Sequence, residues 1–298
     1  VTTTHDEHSS GVAPPNLLAP GYRRFFTGRG AVIASLLSSV AVVVALVSLF
    51  YITPGSSEVR FFFFHLADMG RAFVGDPAKG LSSVGLAFLT NIWMCLLCEI
   101  IVLVLGLTFA WVRVSRSAVL LPVRVLVTVY TDLFRGIPII LVIYIVGFGL
   151  PALNIGFLSH QSPAVYGCIS LIVTYTAYVA EVYRAGLTSV PNGQILAARS
   201  LGLTQQATMQ RIILPQAVRT VVPPLLNDFI SLQKDTALVS TLGAIEATHA
   251  AQIYASTEFN FSGYTIAALL FLILTVPLTR FTDQLMSRDR NKRLAQQS

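Results

Sequence analysis

Glu99, Asp132, Arg135, Glu181, Arg184, Asp228, Lys234 and Asp235 are charged side chains set within long apolar runs. A charge at the centre of a membrane helix costs about 2.5–3.5 kcal/mol on insertion scales, so each of these needs a partner or a task. Both signs together suit a zwitterionic solute, and buried carboxylates alone suit a proton or sodium ion. Glu181 and Arg184, three residues apart, read as a structural pair on one helix face. The neighbours Lys234 and Asp235 read in the same way. Glu99 has no cation near it in its own helix, so two readings stand: a solute contact, or an interhelical pair with Arg135. Gly136 and Pro138 weaken a helix at the depth of Asp132 and Arg135, either to expose backbone polar groups to a solute or as a packing kink. The candidates for the solute path are therefore Glu99, Asp132, Arg135, Lys234 and Asp235. Five acids against three bases lean towards a neutral or cationic solute.

Other chemistries fit less well. Cys95 and Cys98 form a C-x-x-C within an apolar run, and Cys168 is the remaining cysteine. No histidine stands nearby to complete four ligands, and thiols in such helices behave as small hydrophobes, so no metal is expected. His5, His8, His65, His160 and His249 are expected in tails or loops and suggest no catalytic constellation. The chain has no G-x-x-x-x-G-K-[ST] phosphate loop, so it is not expected to be an enzyme; any ATP and its Mg would be bound by a partner.

The elements that must hold these residues are membrane helices. Of 298 residues 54% are hydrophobic and 11% charged, with a mean hydropathy of +0.70, which describes an all-α, polytopic helix bundle in a lipid membrane. Spans are expected at 31–52, 86–112, 118–149, 164–187, 218–240 and 262–283. The first is too long for a signal-peptide core and lacks a small-x-small cleavage site, so it reads as an uncut helix. The organisation is then an N-terminal tail (1–29), a first transmembrane helix (30–52), an extracytoplasmic segment (53–85), a core (86–284) and a basic tail (285–298). Arg113, Arg116, Arg199, Arg211, Arg280, Arg288, Arg290, Lys292 and Arg293 fall on one side if both termini are cytoplasmic. The net charge of +6 is thus a topology signal and gives no reason to invoke nucleic acid. In the segment 53–85, the run Phe61 to Phe64 reads as an anchor at the lipid headgroups or as a contact for a partner subunit.

One stretch breaks the oily pattern. Residues 191–217, PNGQILAARSLGLTQQATMQRIILPQA, read as two short helices. Asn192 is expected to cap the first, Gly202 to end it, Thr204 to cap the second, and Pro215 to stop it. Small Ala197 and Ala198 would let another protein approach closely.

The pattern A-A-x-x-x-G followed by I-x-L-P, with Ala197, Ala198, Gly202, Ile212, Leu214 and Pro215, resembles the cytoplasmic coupling loop of ABC-importer permeases. Further matches run from about residue 84 to 288: Tyr130 to Pro138 (YTDLFRGIP), Thr176 to Gly186 (TAYVAEVYRAG) and Ser231 to Leu238 (SLQKDTAL) are similar to segments of polar amino acid permeases of the histidine and glutamine type. The resemblance implies a type I importer with a five-helix core, here with one extra N-terminal transmembrane helix. It also implies a bacterial inner-membrane location, ABC ATPase subunits, a second permease subunit and an extracytoplasmic amino-acid-binding protein. The loop residues implied to engage the ATPase are Gln194, Leu196, Ala197, Ala198, Gly202, Ile212, Leu214 and Pro215. Leu196 stands where the family usually carries glutamate, so contacts there are expected to be more apolar, or asymmetric in a heterodimer. An ion- or proton-coupled secondary carrier remains the alternative, with Glu99, Asp132 and Asp235 as its ion sites.

Overall fold

The computed structural model describes residues 29–295 except Arg116, and side chains from 33 to 287 with the same exception. The tail with His5 and His8, Arg116, and the side chains of Arg288, Arg290, Lys292 and Arg293 lie outside the described residues. The chain divides into two units at Val59 and Arg60. In the first, α1 (Arg29–Ile52) carries no charge after Arg29 and is strongly apolar over Ile33–Ile52, with a mean hydropathy of 2.5. The hydroxyls of Ser38 and Ser39 donate to the carbonyl of Ser35, 2.9 and 2.8 Å away, which keeps them satisfied without water. The helix α2 (Ser56–Phe63) carries the chain across the division.

The second unit is helical, and among the described residues its only strand-like contact is an isolated bridge between Asp76 and Leu81. Its elements are α3 (Leu66–Val74), α4 (Val84–Val114), α5 (Leu121–Gly136), α6 (Ile139–Ala152), α7 (Pro163–Thr188), α8 (Asn192–Ser200), α9 (Gln205–Thr208), α10 (Leu214–Asp235), α11 (Ala247–Glu258) and α12 (Ser262–Ala295). Helix α7 is central and packs on α4, α5, α6 and α10. Close approach to α4 depends on Gly106, where an added Cβ would lie 2.6 Å from Val179 Cγ1. Met94, Cys98 and Val102 of α4, Leu171 and Val179 of α7, and Leu232 of α10 form the core there.

Among the described residues, α1, α4, α7 and α12 are long and apolar enough to cross a membrane. The expected single span at 118–149 is instead α5 and α6, bent by 111° where Ile137 and Pro138 interrupt the ladder. The expected span at 218–240 is α10 followed by a 3₁₀ segment, Thr236–Leu242. It falls short on apolarity because it carries Asp228, Gln233, Lys234 and Asp235. Such a helix is tolerated where α4, α7 and α12 pack around it and polar groups need not meet lipid.

Residues 60–83 are clamped onto the start of α12 and onto α11. The carbonyls of Phe61, Phe62 and Phe63 accept from Asn260 Nδ2 (3.1 Å), Phe261 N (2.7 Å) and Thr265 Oγ1 (2.5 Å). The rings of Phe61 to Phe64 stay partly exposed while Phe63 stacks on Phe261. Beneath them Asp68 is buried and accepts from Tyr254 Oη at 2.8 Å, pairs with His65 Nδ1 at 2.7 Å and binds Arg71. Burial alone would raise its pKa, but the bonds from Tyr254 and His65 and the charge of Arg71 hold it below the ordinary 3.8. A depressed carboxylate stabilises the fold above the unfolded pKa and loses that contribution as pH falls through the folded value. Asp68→Asn should therefore cost about 1–3 kcal/mol at neutral pH, seen as a lower melting temperature. The gap to wild type should close as the pH is taken below 3.8.

Candidate functional site

Two turns of helix separate Asp228 from Asp235, so the seven-residue spacing puts both acids on one face of α10. Glu99, midway along α4, meets that face. Glu99 Oε2 and Asp228 Oδ2 are buried and find no hydrogen-bond partner among the described residues. The Asp228 carboxylate lies close enough to repel that of Glu99. Among the described residues neither acid forms an ion pair within 4.0 Å. Asp235 differs, for it accepts from Tyr175 Oη at 2.7 Å. That bond ties α7 to α10 on the face that also carries Asp228. Tyr183, a further two turns along α7, lies within the field of Glu99. The result is a group of buried acids where α4, α7 and α10 pack together, with the Tyr175 phenol bonded to one of them. Two like charges held together in a low-dielectric interior repel strongly, and a cation between them removes that cost.

The other charges expected on the solute path go elsewhere. Arg135 does not reach Glu99; its carboxylate contact is Glu181, 3.8 Å away. Glu181 also takes Arg113 Nη1 at 2.8 Å and is bound by Arg184 through Nε at 3.0 Å and through Nη2. The i, i+3 pair read from sequence is present as one side of a larger cluster joining α4, α5 and α7. Asp132 is exposed and makes no hydrogen bond among the described residues. Lys234 has no carboxylate within 4.0 Å among the described residues, because Asp235 turns to Tyr175 instead. Cys95, Cys98 and Cys168 are all buried, and the Cys98 thiol donates to the Cys168 carbonyl at 3.7 Å. His249 lies inside α11, not in a loop, because Glu246 caps that helix by accepting from His249 N at 2.8 Å and Thr248 N at 2.9 Å.

Several polar residues of this region escape a reading of the sequence. Glu246 is completely buried and takes a further bond from Asn91 Nδ2 at 2.9 Å, while Asn91 Oδ1 accepts from Ala247 N. Asn91 Nδ2 also donates to Thr236 Oγ1, tying α4 to the end of α10 and to α11. The only local signal was an acid just before an Ala-Thr-His helix start, which reads as an ordinary cap. Tyr175 is equally quiet, since its significance lies in the bond to Asp235 across two helices, and Asp228, one charge among eight in the apolar runs, gives no sign that Glu99 is its neighbour.

The polar loop follows α7. Asn192 is the first residue of α8, preceded by Pro191, and its side chain makes no cap; proline already presets the entry dihedral. Gly202 stands at φ +82°, and the amides of Leu201, Gly202 and Leu203 return to the carbonyls of Ala197, Arg199 and Ala198. Thr204 Oγ1 accepts from Ala207 N at 3.2 Å and so caps α9. The chain does not stop at Pro215. A π-turn, Met209–Ile213, carries α9 into α10, with Leu214 N bonded five residues back to Met209 O. Proline at the second position of α10 then lacks an amide that had no partner to lose. Gln216 Nε2 donates to Gln194 Oε1 at 2.8 Å and to Ile212 O at 3.0 Å, pinning α8 to the root of α10. Ala198 is buried, whereas Gln194, Ala197, Leu214 and Pro215 are exposed and Ile212 half-buried. Leu196 and Leu201 are 66% and 84% exposed, and with Leu214 they leave an apolar knob on a loop whose only charges are Arg199 and Arg211.

Comparison with known proteins agrees with this arrangement. Residues 121–290 match the family described as "Binding-protein-dependent transport system inner membrane component". The chain is 36% identical over 178 residues to the "probable glutamine ABC transporter permease protein GlnM" of Bacillus subtilis (strain 168), covering 59% of this chain and 81% of that one. It is 35% identical over 179 residues to a protein of Vibrio harveyi described as an amino-acid ABC transporter permease, PatM, covering 60% and 78%. Among solved structures it is similar to a chain of "Crystal structure of an amino acid ABC transporter with histidines", with a TM-score of 0.62 and 28% identity, over 69% of this chain and 93% of that chain. A MetNI methionine ABC transporter chain, at 18% identity and a TM-score of 0.58, shares the fold over 72% of this chain and 99% of its own.

Proposed function

The chain belongs to the family of binding-protein-dependent transport system inner membrane components, and from that premise we propose that it is the permease subunit of an ATP-driven amino-acid importer whose solute carries a cationic group. The observation that carries the choice of solute is the pair Glu99 and Asp228, two acids that among the described residues have no cation within 4.0 Å and, at Glu99 Oε2 and Asp228 Oδ2, no hydrogen-bond donor. A basic amino acid would place its side-chain or α-amino charge there, with Tyr175 and Asp235 beside it.

In this reading, ATP and Mg are bound by partner ATPase subunits that engage α8 and α9 through Leu196, Ala197, Leu201 and Leu214. ATPase closure moves the loop, and the movement passes into α10, which carries Asp228 and Asp235. A second permease copy or relative completes the path, and an extracytoplasmic binding protein delivers the solute. Both termini and the loop face the cytoplasm, as the arginines at 113, 124, 199 and 211 favour. An ion-coupled carrier would use the same acids, but it has no task for the clasped, apolar-tipped loop.

The test is to tag the chain, purify it gently from its native membrane, identify its companions by mass spectrometry, and reconstitute them in vesicles. Co-purification of an ATPase, with ATP-dependent uptake of arginine, lysine or histidine exceeding that of glutamate, is the expected result. Uptake that follows a proton or sodium gradient and needs no ATPase would overturn it.

A further inference from the structure

The cluster around Glu181 has more positive charge than it can use. Three guanidinium groups, Arg113, Arg135 and Arg184, converge on one carboxylate, leaving two positive charges in excess. The carboxylate is already committed: Oε2 accepts from Arg113 Nη1 and Arg184 Nε, and Oε1 from Arg184 Nη2. Arg135, at 3.8 Å, makes no hydrogen bond through its guanidinium among the described residues, so its five donors have no acceptor there. Tyr178 Oη donates to the Arg135 carbonyl at 3.4 Å, tying the last turn of α5 to α7.

The surroundings say what would supply the missing anion. Arg113 is one residue from the end of α4, the end at which the bundle carries the polar loop, and its side chain is only 12% exposed. Two residues earlier, Trp111 is exposed on the outer surface of α4, where an indole marks the depth of lipid headgroups. Beside the cluster, α5 turns Leu126, Val129 and Leu133 outward, an apolar surface suited to acyl chains. Arg135 and Arg184 are themselves 40% and 36% exposed, so the excess charge opens outward and is not sealed in the core.

We infer that Arg113, Arg135 and Arg184 form a binding site for the phosphodiester of an anionic lipid headgroup at the loop-bearing face of the membrane. A phosphate accepts from planar guanidinium groups in the paired geometry that Arg135 leaves unused. Basic pockets between membrane helices bind such headgroups on the cytoplasmic side, and neutralising the excess charge there would hold α4, α5 and α7 together at the α5–α6 bend. The proposal rests on the membrane-subunit reading and is independent of which solute is carried.

The experiment places the purified assembly in nanodiscs of phosphatidylcholine, with or without phosphatidylglycerol, and counts lipid retained after transfer to detergent by native mass spectrometry. Wild type should retain phosphatidylglycerol in preference to phosphatidylcholine. Arg135→Gln should reduce that retention roughly fivefold, the share of one basic residue at an anionic surface. Arg135→Lys should keep most of it, and Arg219→Gln, an exposed arginine of α10 outside the cluster, should keep all of it. Equal retention by wild type and Arg135→Gln, or no preference in wild type, would overturn the site. Stabilisation of wild type by inorganic phosphate in phosphatidylcholine discs, without phosphatidylglycerol retention, would overturn the lipid as its occupant. A preparation that lacks any ATPase yet keeps the lipid preference would sink the importer reading alone.

Discussion

Glu99→Gln and Asp228→Asn each lower ATP-driven uptake of a basic amino acid by roughly 30- to 1,000-fold, the equivalent of about 2–5 kcal/mol for truncating one side of a desolvated charge contact. The reason is the absence of any competing partner. Among the described residues Glu99 Oε2 and Asp228 Oδ2 meet no donor and neither acid has an ion-pair partner, so no such contact dilutes their attraction for an incoming cation. The same absence gives the expected result a second arm. Removing one of two facing like charges relieves a cost in the empty state, so both variants should melt higher than wild type while transporting less, as happens when a site is built at the expense of stability. Assembly with the ATPase and its basal turnover should be unchanged, because Glu99 and Asp228 lie far along their helices from the loop. Uptake in reconstituted vesicles, read beside the melting temperature, checks both arms. A variant that melts lower and transports normally would show that the acids are structural.

The second large effect lies at Gly202. With φ +82°, this position costs a β-branched residue about 1–3 kcal/mol, and a Cβ there would meet nothing within 4 Å, so the penalty is backbone strain alone. Gly202→Val should relieve that strain by redirecting α9 away from α8. The clasp between Gln216 and Gln194 and the apolar knob of Leu196 and Leu201 then lose their relative placement. Transport should fall at least tenfold, about 1.4 kcal/mol in coupling, while the ATPase continues to hydrolyse ATP. Gly202→Asn, which tolerates the left-handed region, should retain most activity. The ratio of solute moved to ATP hydrolysed, measured for the two variants side by side, separates backbone geometry from side-chain bulk.

The features that could be read along the chain are those set by local chemistry. Gly136 and Pro138 flank Ile137, which is extended at φ −94° and ψ 133° as a residue before proline prefers to be, and the 111° bend follows. Thr204 caps, and Gly202 terminates, by interactions that span three or four residues. The acid at Glu99 was visible because carboxylates are scarce in such runs. What was not legible depends on distant partners. Nothing near Arg135 says that it will join Glu181, some 46 positions on, in place of Glu99. Glu246 and Asn91 find each other across 155 positions, and each alone reads as a cap or a stray polar residue. Pro215 misled for a related reason. Its ring ends a regular helix, but a π-turn stands just before it and carries the chain into α10, whose Gln216 is bonded to Gln194 of α8, 22 positions back.

Because α10 runs as one helix from Leu214 to Asp235, through Pro223 and Pro224, the loop and the buried acids share one helical phase. Each residue inserted or deleted between Gln216 and Asn227 would swing Asp228 and Asp235 by about 100° around the axis relative to Leu214. A loss of phase of that size turns the carboxylates away from Glu99 without altering any residue that touches solute or partner. Length in this stretch is therefore inherited as strictly as side-chain identity, and divergence among relatives should proceed there by substitution and hardly ever by insertion or deletion.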